Sequence, residues 1–223
     1  MQMTILPPYL SDYQYIINDL VIAGYSTFGY CIKGEIPVKF NITDRDGKIE
    51  LLESNFGRLL LRTPWAKIFR REIIEKNHLK FKNGIRLGED TIFVLEFIEC
   101  CNSISSVTSE SYIYYTQEIK DYKLTAIEYA ESISLIEQNL TTIGSKQKLY
   151  QSIKTIRHIF KYTFESGLWH NGMNHAKRES RNWFRYKLWR YIPDEPFLKR
   201  IRVTLVMLLW PILYRKLINC NSK

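Results

Sequence analysis

From Thr91 to Cys101 the chain reads TIFVLEFIECC, in which only Thr91, Glu96 and Glu99 are polar among larger apolar side chains. Such a run predicts a helix that is apolar over most of its circumference and packed on nearly every side. It opens with Gly88-Glu89-Asp90, so two carboxylates stand at the mouth of a buried helix. Elements on either side of that helix must bury it, and the sequence around it supplies them.

Asn18 to Tyr25 is a short apolar run bounded by turn formers, as in a buried strand. Ile36 to Glu50 reads as a hairpin, with Val38, Phe40 and Ile42 alternating and Asp46-Gly47 at the turn. Leu51 to Leu61 then reads as helix, Pro64 to Asn77 as strand followed by helix, and Ser106 to Thr116 as one or two strands. Beyond Lys120 the pattern becomes helical. Thr125 and Glu128 stand at capping-box spacing before a 3.6-residue apolar period that Gly144-Ser145 ends, and Leu149 to Leu168 starts the next helix.

The 223 residues suffice for one good core, or for one smaller core plus a helical appendage. The net charge of +9 is unevenly placed: residues 1–175 hold 20 Lys+Arg against 20 Asp+Glu, and residues 176–223 hold 12 against 3. The excess therefore belongs to the tail. Aromatic residues, including 15 Tyr and 5 Trp, suit either sugar stacking and a membrane interface or simple filling of a core and its rim. The four cysteines, Cys31, Cys100, Cys101 and Cys220, show no metal or redox spacing and fit a reducing cytoplasm. Met1 to Pro8 lacks the basic start and apolar core of a secretory signal.

Two segments carry a resemblance. Pro64-Trp65-Ala66-Lys67-Ile68-Phe69-Arg70-Arg71 followed by Gly88-Glu89-Asp90-Thr91 is similar, in order and residue type, to the acceptor-side half of family 2 glycosyltransferases. The resemblance covers residues 10–120 and implies an α/β fold: an incomplete GT-A-like mixed sheet with packed helices, followed by a helical C-terminal region. It implies that 1–120 is the acceptor-side part of the domain, 121–175 a helical extension and 176–223 a basic aromatic tail. Asp90 would be the base that takes the acceptor proton, with Glu89 supporting it. The family's nucleotide-binding half and its Asp-x-Asp metal motif are expected upstream of residue 10. A divalent cation, Mg or Mn, is thus expected for the complete enzyme and not for this chain alone.

Other readings of the same residues stay open. Asp90 suits helix capping as well as proton transfer. Trp65 offers a flat face to a sugar or to the core, and Lys67 a point charge for a diphosphate or a carboxylate. Arg70 and Arg71 suit ligand contacts or ion pairs with Glu72 and Glu75. Asp44-Arg45-Asp46 reads as turn chemistry beside Gly47 and not as a metal motif. His78, His158, His170 and His175 show no metal spacing, and no Gly-rich phosphate loop or Gly-x-Ser-x-Gly elbow occurs.

In the tail, RNWFRYKLWRY (181–191) alternates cations with large rings, and Val203 to Tyr214 forms an apolar stretch closed by Arg215-Lys216. Twelve helical residues span about 18 Å, too short for a bilayer core of about 30 Å. Trp183, Trp189 and Trp210 with their flanking cations suit a helix lying in an anionic membrane interface. The competing reading packs Val203 to Tyr214 back on the core. No nucleic-acid motif accompanies the basic residues, so nucleic acid is not an expected partner. The first expectation is a glycosyltransferase, or a portion of one, that moves a sugar from a nucleotide donor to a glycan or lipid-linked acceptor with inversion, in bacterial surface polysaccharide synthesis. It would work in the cytoplasm, peripheral to the inner face of the membrane, as a portion that lacks the nucleotide-binding half: a fragment, a truncated product, or one half of a split enzyme completed in trans and inactive alone. The second is a non-catalytic membrane-peripheral interaction module with the same ancestry.

Overall fold

The computed structural model describes residues 18–29, 34–116, 125–170 and 172–191, together with Ile201, Leu205 and Leu209. Four strands form one mixed sheet: β1 (Leu20–Gly29), β2 (Asn41–Ile42), β3 (Lys67–Phe69) and β4 (Ile104–Thr116), in the order β2-β4-β1-β3. β1 and β4 run parallel, with Leu20 opposite Ile104, while β3 is antiparallel to β1 and β2 to β4. The β1–β4 register slips on either side of Gly24. A Cβ there would meet Ser109 O at 2.8 Å and Glu35 O at 2.9 Å, so only glycine admits both backbones.

The chain between β1 and β4 contains α1 (Arg45–Asn55), α2 (Leu59–Arg62), α3 (Arg71–Lys76) and α4 (Glu89–Cys100). α4 is the buried helix that the sequence predicts: Thr91 to Leu95, Phe97 and Ile98 are all buried. Phe69 of β3 meets the edges of Phe93 and Phe97, and Phe81 stacks on Phe93. Glu96, the polar residue in mid-helix, pairs with Lys82 at 2.7 Å. The other side of α4 packs on α5 (Ala126–Ile143).

α5 starts with the expected capping box, Thr125 with Glu128, and buries Tyr129, Ile133, Ile136 and Leu140 along one face. α6 (Tyr150–His170) answers with Ile153, Ile156, Phe160, Phe164 and Leu168. Glu137 and Arg157 lock the two helices through paired hydrogen bonds of 2.6 and 3.0 Å. α7 (Gly172–Arg185) completes the group, and the buried Glu179 carboxylate accepts from Ala126 N at 2.8 Å, satisfying a first-turn amide of α5.

Three expectations change. The segment 36–50 is not a hairpin: β2 has two residues, and Asp44 caps α1 by accepting from Gly47 N at 2.7 Å. The Asp-x-x-Gly spacing satisfies a helix N-terminus as well as a turn, and buried Lys48, Ile49, Leu51 and Leu52 follow with helical period. Leu51 to Leu61 is two helical pieces interrupted at Phe56 to Arg58. Trp183 does not face a membrane. It is fully buried, with its ring 5.3 Å from that of Phe164 and 5.8 Å from that of Tyr129. Its spacing from Ala176 and Ser180 puts it on the core face of an amphipathic helix whose other face carries the cations. The placements expected for Met1 to Pro8, Cys31, Cys220 and Trp210 lie outside the described residues, as does the side chain of Trp189.

Replacing Trp183 by alanine is therefore expected to cost about 3–5 kcal/mol of stability, as for other buried large-to-small changes, read as a drop in the urea midpoint of unfolding.

Candidate functional site

The end of α4 that carries Glu89 and Asp90 is set by Gly88, which adopts φ +85° as the residue before the helix. A Cβ at Gly88 would lie 2.9 Å from Ile136 Cδ1 and 3.0 Å from Phe160 Cζ, so α5 and α6 close directly over this turn. Thr91, the next residue in, donates to Arg62 O at 3.1 Å and ties the helix start to the end of α2. Asp90 is thus held by backbone contacts on both sides.

From Arg62 the chain loops back to the sheet. Ala66 takes φ +55°, and its carbonyl accepts from Ala23 N at 2.9 Å, which turns Lys67 into the cluster beside Asp90. Lys67 Nζ donates to Thr63 O at 2.6 Å. Burial pulls the Lys67 ammonium down to about 7, against the opposing pull of Asp90 and Glu35. Burial, and then the neighbouring Glu89, push the Asp90 carboxyl up to about 6, while Lys67 draws it down. Asp90 is therefore less readily ionised than an ordinary helix-capping carboxylate, because desolvation outweighs the helix N-terminus. Among the described residues no cation lies within ion-pairing distance of it.

Trp65 stands nearby, with its ring nearly parallel to those of Tyr112 and Tyr114 at 5.3 and 5.0 Å and edge-on to Tyr25 at 4.6 Å. Much of its flat surface is thus covered by the protein's own rings. Arg70 is not brought to this cluster. It pairs at 3.0 Å with Asp19, whose other carboxylate oxygen accepts from Asn102 N and Ser103 N, so it staples β3 to the start of β4 at the far end of the sheet. Arg71 pairs with Glu75 on the surface of α3.

Sequence reasoning missed Tyr25, Glu35 and Arg62. Glu35 exchanges backbone hydrogen bonds of 2.9 Å with Tyr25, and Tyr25 Oη, Glu35 Oε2 and Arg62 Nε are all buried without a hydrogen-bond partner. The three feel one another's charge: burial and then Glu35 raise the Tyr25 phenol, and burial lowers the Arg62 guanidinium against Glu35 and Tyr25. Three buried polar atoms without a hydrogen-bond partner thus lie beside a desolvated lysine. Tyr25 and Arg62 sit in apolar runs and Glu35 follows a glycine, so no local pattern announces them.

Asp44 and Asp46 do not fit a divalent cation: one caps α1 and the other pairs with Lys148 at 2.9 Å. Among the described residues no group of three or more His, Cys, Asp or Glu is placed to hold a metal ion.

No family model and no curated protein matches this sequence. Among solved structures, S. aureus TarS 1–349 in complex with UDP-GlcNAc aligns over 82% of this chain with a TM-score of 0.56 and 13% identity. This chain spans about half of that structure, 53% of its length. TarS is a glycosyltransferase, and the likeness shows a glycosyltransferase-like α/β fold in this chain.

Two outcomes test the site's construction. Gly88→Ala combines an unfavourable positive φ with a clash against two buried side chains, and is expected to lower stability by about 2 kcal/mol or more in urea unfolding. Lys67 is expected to shape stability against pH. Its folded value is depressed, so between about 7 and its ordinary 10.5 the unfolded chain holds a proton that the folded chain does not. Stability from this group rises with pH across that window, and the rise should be absent from Lys67→Met when the two urea midpoints are compared from pH 7 to 10.

Proposed function

We propose that this chain is the acceptor-side part of a glycosyltransferase that transfers a sugar from a nucleotide donor to a hydroxyl of a glycan or lipid-linked acceptor, with inversion. The observation that carries this reading is Asp90: a carboxylate fixed at the mouth of the buried α4, raised to about 6 and left without an ion-pair partner among the described residues. A base must be ionised at working pH yet retain affinity for a proton, and a carboxylate near 6 meets both needs better than one near 4. The fold neighbour's complex with UDP-GlcNAc supports a nucleotide-sugar donor.

In this reading an acceptor hydroxyl approaches Asp90, which takes its proton as the oxygen attacks the anomeric carbon and the nucleotide diphosphate leaves from the opposite face. Lys67 assists by holding Asp90 ionised. Glu35 and Asp90 act on Lys67, Glu35 acts on Arg62 and Glu89 on Asp90, so the local carboxylates outnumber the cations and oppose a diphosphate there. Trp65, with Tyr112 and Tyr114, forms an aromatic wall for the acceptor sugar more than a free platform. Arg70 supports the sheet. The divalent cation that the resemblance implies would be held by residues other than these.

The test is transfer by the completed enzyme, this chain together with a nucleotide-binding half, from a panel of nucleotide sugars beginning with UDP-GlcNAc, with Mg²⁺ or Mn²⁺ present. Asp90→Asn is expected to lower kcat by about 10²–10⁴-fold while the unfolding midpoint is kept. Turnover that survives Asp90→Asn overturns the assignment. With the wild-type completed enzyme kcat/KM should rise with pH through about 6 as Asp90 ionises. In Lys67→Met that limb should move to higher pH, because the cation that draws the Asp90 value down is gone.

A further inference from the structure

α7 is two-faced. Ala176, Glu179, Ser180 and Trp183 are buried against α5 and α6, while Lys177, Arg178, Arg181 and Arg185 are exposed. The spacing 177, 181, 185 places three cations in one row along the outer side of the helix. Glu179 is the one acidic residue between 176 and 193, and its carboxylate is turned inward to Ala126 N and Arg178. The row is therefore not neutralised along α7.

A second observation lies further along. Ile201, Leu205 and Leu209 are helical, four residues apart, and 39%, 48% and 47% exposed. Positions i, i+4 and i+8 have the spacing of one helix face, and the three apolar side chains are presented to solvent. In the sequence Lys199, Arg200 and Arg202 accompany its start. Nucleic acid accounts for the cations and leaves the stripe without a purpose. An anionic bilayer accounts for both: lipid phosphates meet the cations, and the stripe enters the acyl boundary. Among the described residues no helix is long and apolar enough to cross a membrane, so the contact is with its surface.

We propose that the exposed row Lys177, Arg181 and Arg185 together with the apolar stripe Ile201, Leu205 and Leu209 forms a docking surface for anionic lipid bilayers. The surface is separate from the Asp90 cluster and does not depend on its chemistry. It also reassigns Trp183, which fastens α7 to the core while the cations beside it face outward.

Co-sedimentation of the full chain with phosphatidylglycerol-rich vesicles, beside pure phosphatidylcholine vesicles, tests it. The chain is expected to pellet with the first and not the second, and to be released as salt rises. Each cation near the surface contributes about fivefold, so Lys177→Gln/Arg181→Gln/Arg185→Gln should bind about a hundredfold more weakly with its far-ultraviolet circular dichroism unchanged. Leu205→Asn/Leu209→Asn should also weaken binding while leaving all the cations in place. Failure to pellet with either vesicle overturns the proposal, as does equal binding to both. Binding by the triple variant as tight as the parent's overturns it too, and so does binding to single-stranded RNA without binding to vesicles. Asp90→Asn should bind vesicles as the parent does, so loss of the transferase reading and loss of this one are told apart.

Discussion

The structure depends on burying α4 from end to end. Seven of its residues are buried, so neighbours meet it on most sides: β3 and Phe81 through stacked and edge-on rings, α2 through Thr91, and α5 across another face. A helix packed in this way cannot slide or rotate, because each shift would open a void against several partners. Its first turn is where this rigidity reaches solvent. Asp90 inherits its position from the core, and Gly88 supplies the turn that lets α5 and α6 close over the entrance.

The same burial sets the electrostatics. Asp90 and Lys67 each resist their charged forms because water is scarce, and each is partly rescued by the other. Neither shift comes from a direct ion pair: the Lys67 ammonium is spent on the carbonyl of Thr63. Had the two met at ion-pairing distance, the carboxylate would be held low and would be a poor proton acceptor. Separation keeps the field of the lysine without its hydrogen bond, and that combination leaves Asp90 near 6.

Elements were legible where one physical signal ruled. The α4 run, the Thr125–Glu128 box, the Gly144 stop and the strand-then-helix at Lys67 and Arg71 all appear where the sequence puts them. The 36–50 segment failed because Asp followed three residues later by Gly serves a helix N-terminus as well as a turn, and the two-residue β2 has no periodicity to weigh against it. Phe40 and Val38 look strand-like because Ser106 bonds them through its side chain as well as its backbone. Of the candidate site, Glu89, Asp90, Lys67 and Trp65 were visible as a motif. Tyr25, Glu35 and Arg62 were not, since they meet only through the β1–Glu35 bridge and the end of α2, which no local spacing encodes.

Arg70 shows how a motif mixes two duties within six residues. Along β3, Lys67 pairs opposite Ile22 near the site while Phe69 pairs opposite Leu20, and three residues of extended chain from Lys67 to Arg70 span about 10 Å. The two cations therefore serve opposite ends of the same strand. Arg70 finds Asp19, which already holds two amides at the start of β4, and the resulting cross-link fixes the β1–β4 and β1–β3 registers together. A register error of one residue would send Lys67 to the opposite face of the sheet from the Asp90 cluster. Arg70 thus acts on the site without touching it, by fixing the strand that delivers Lys67.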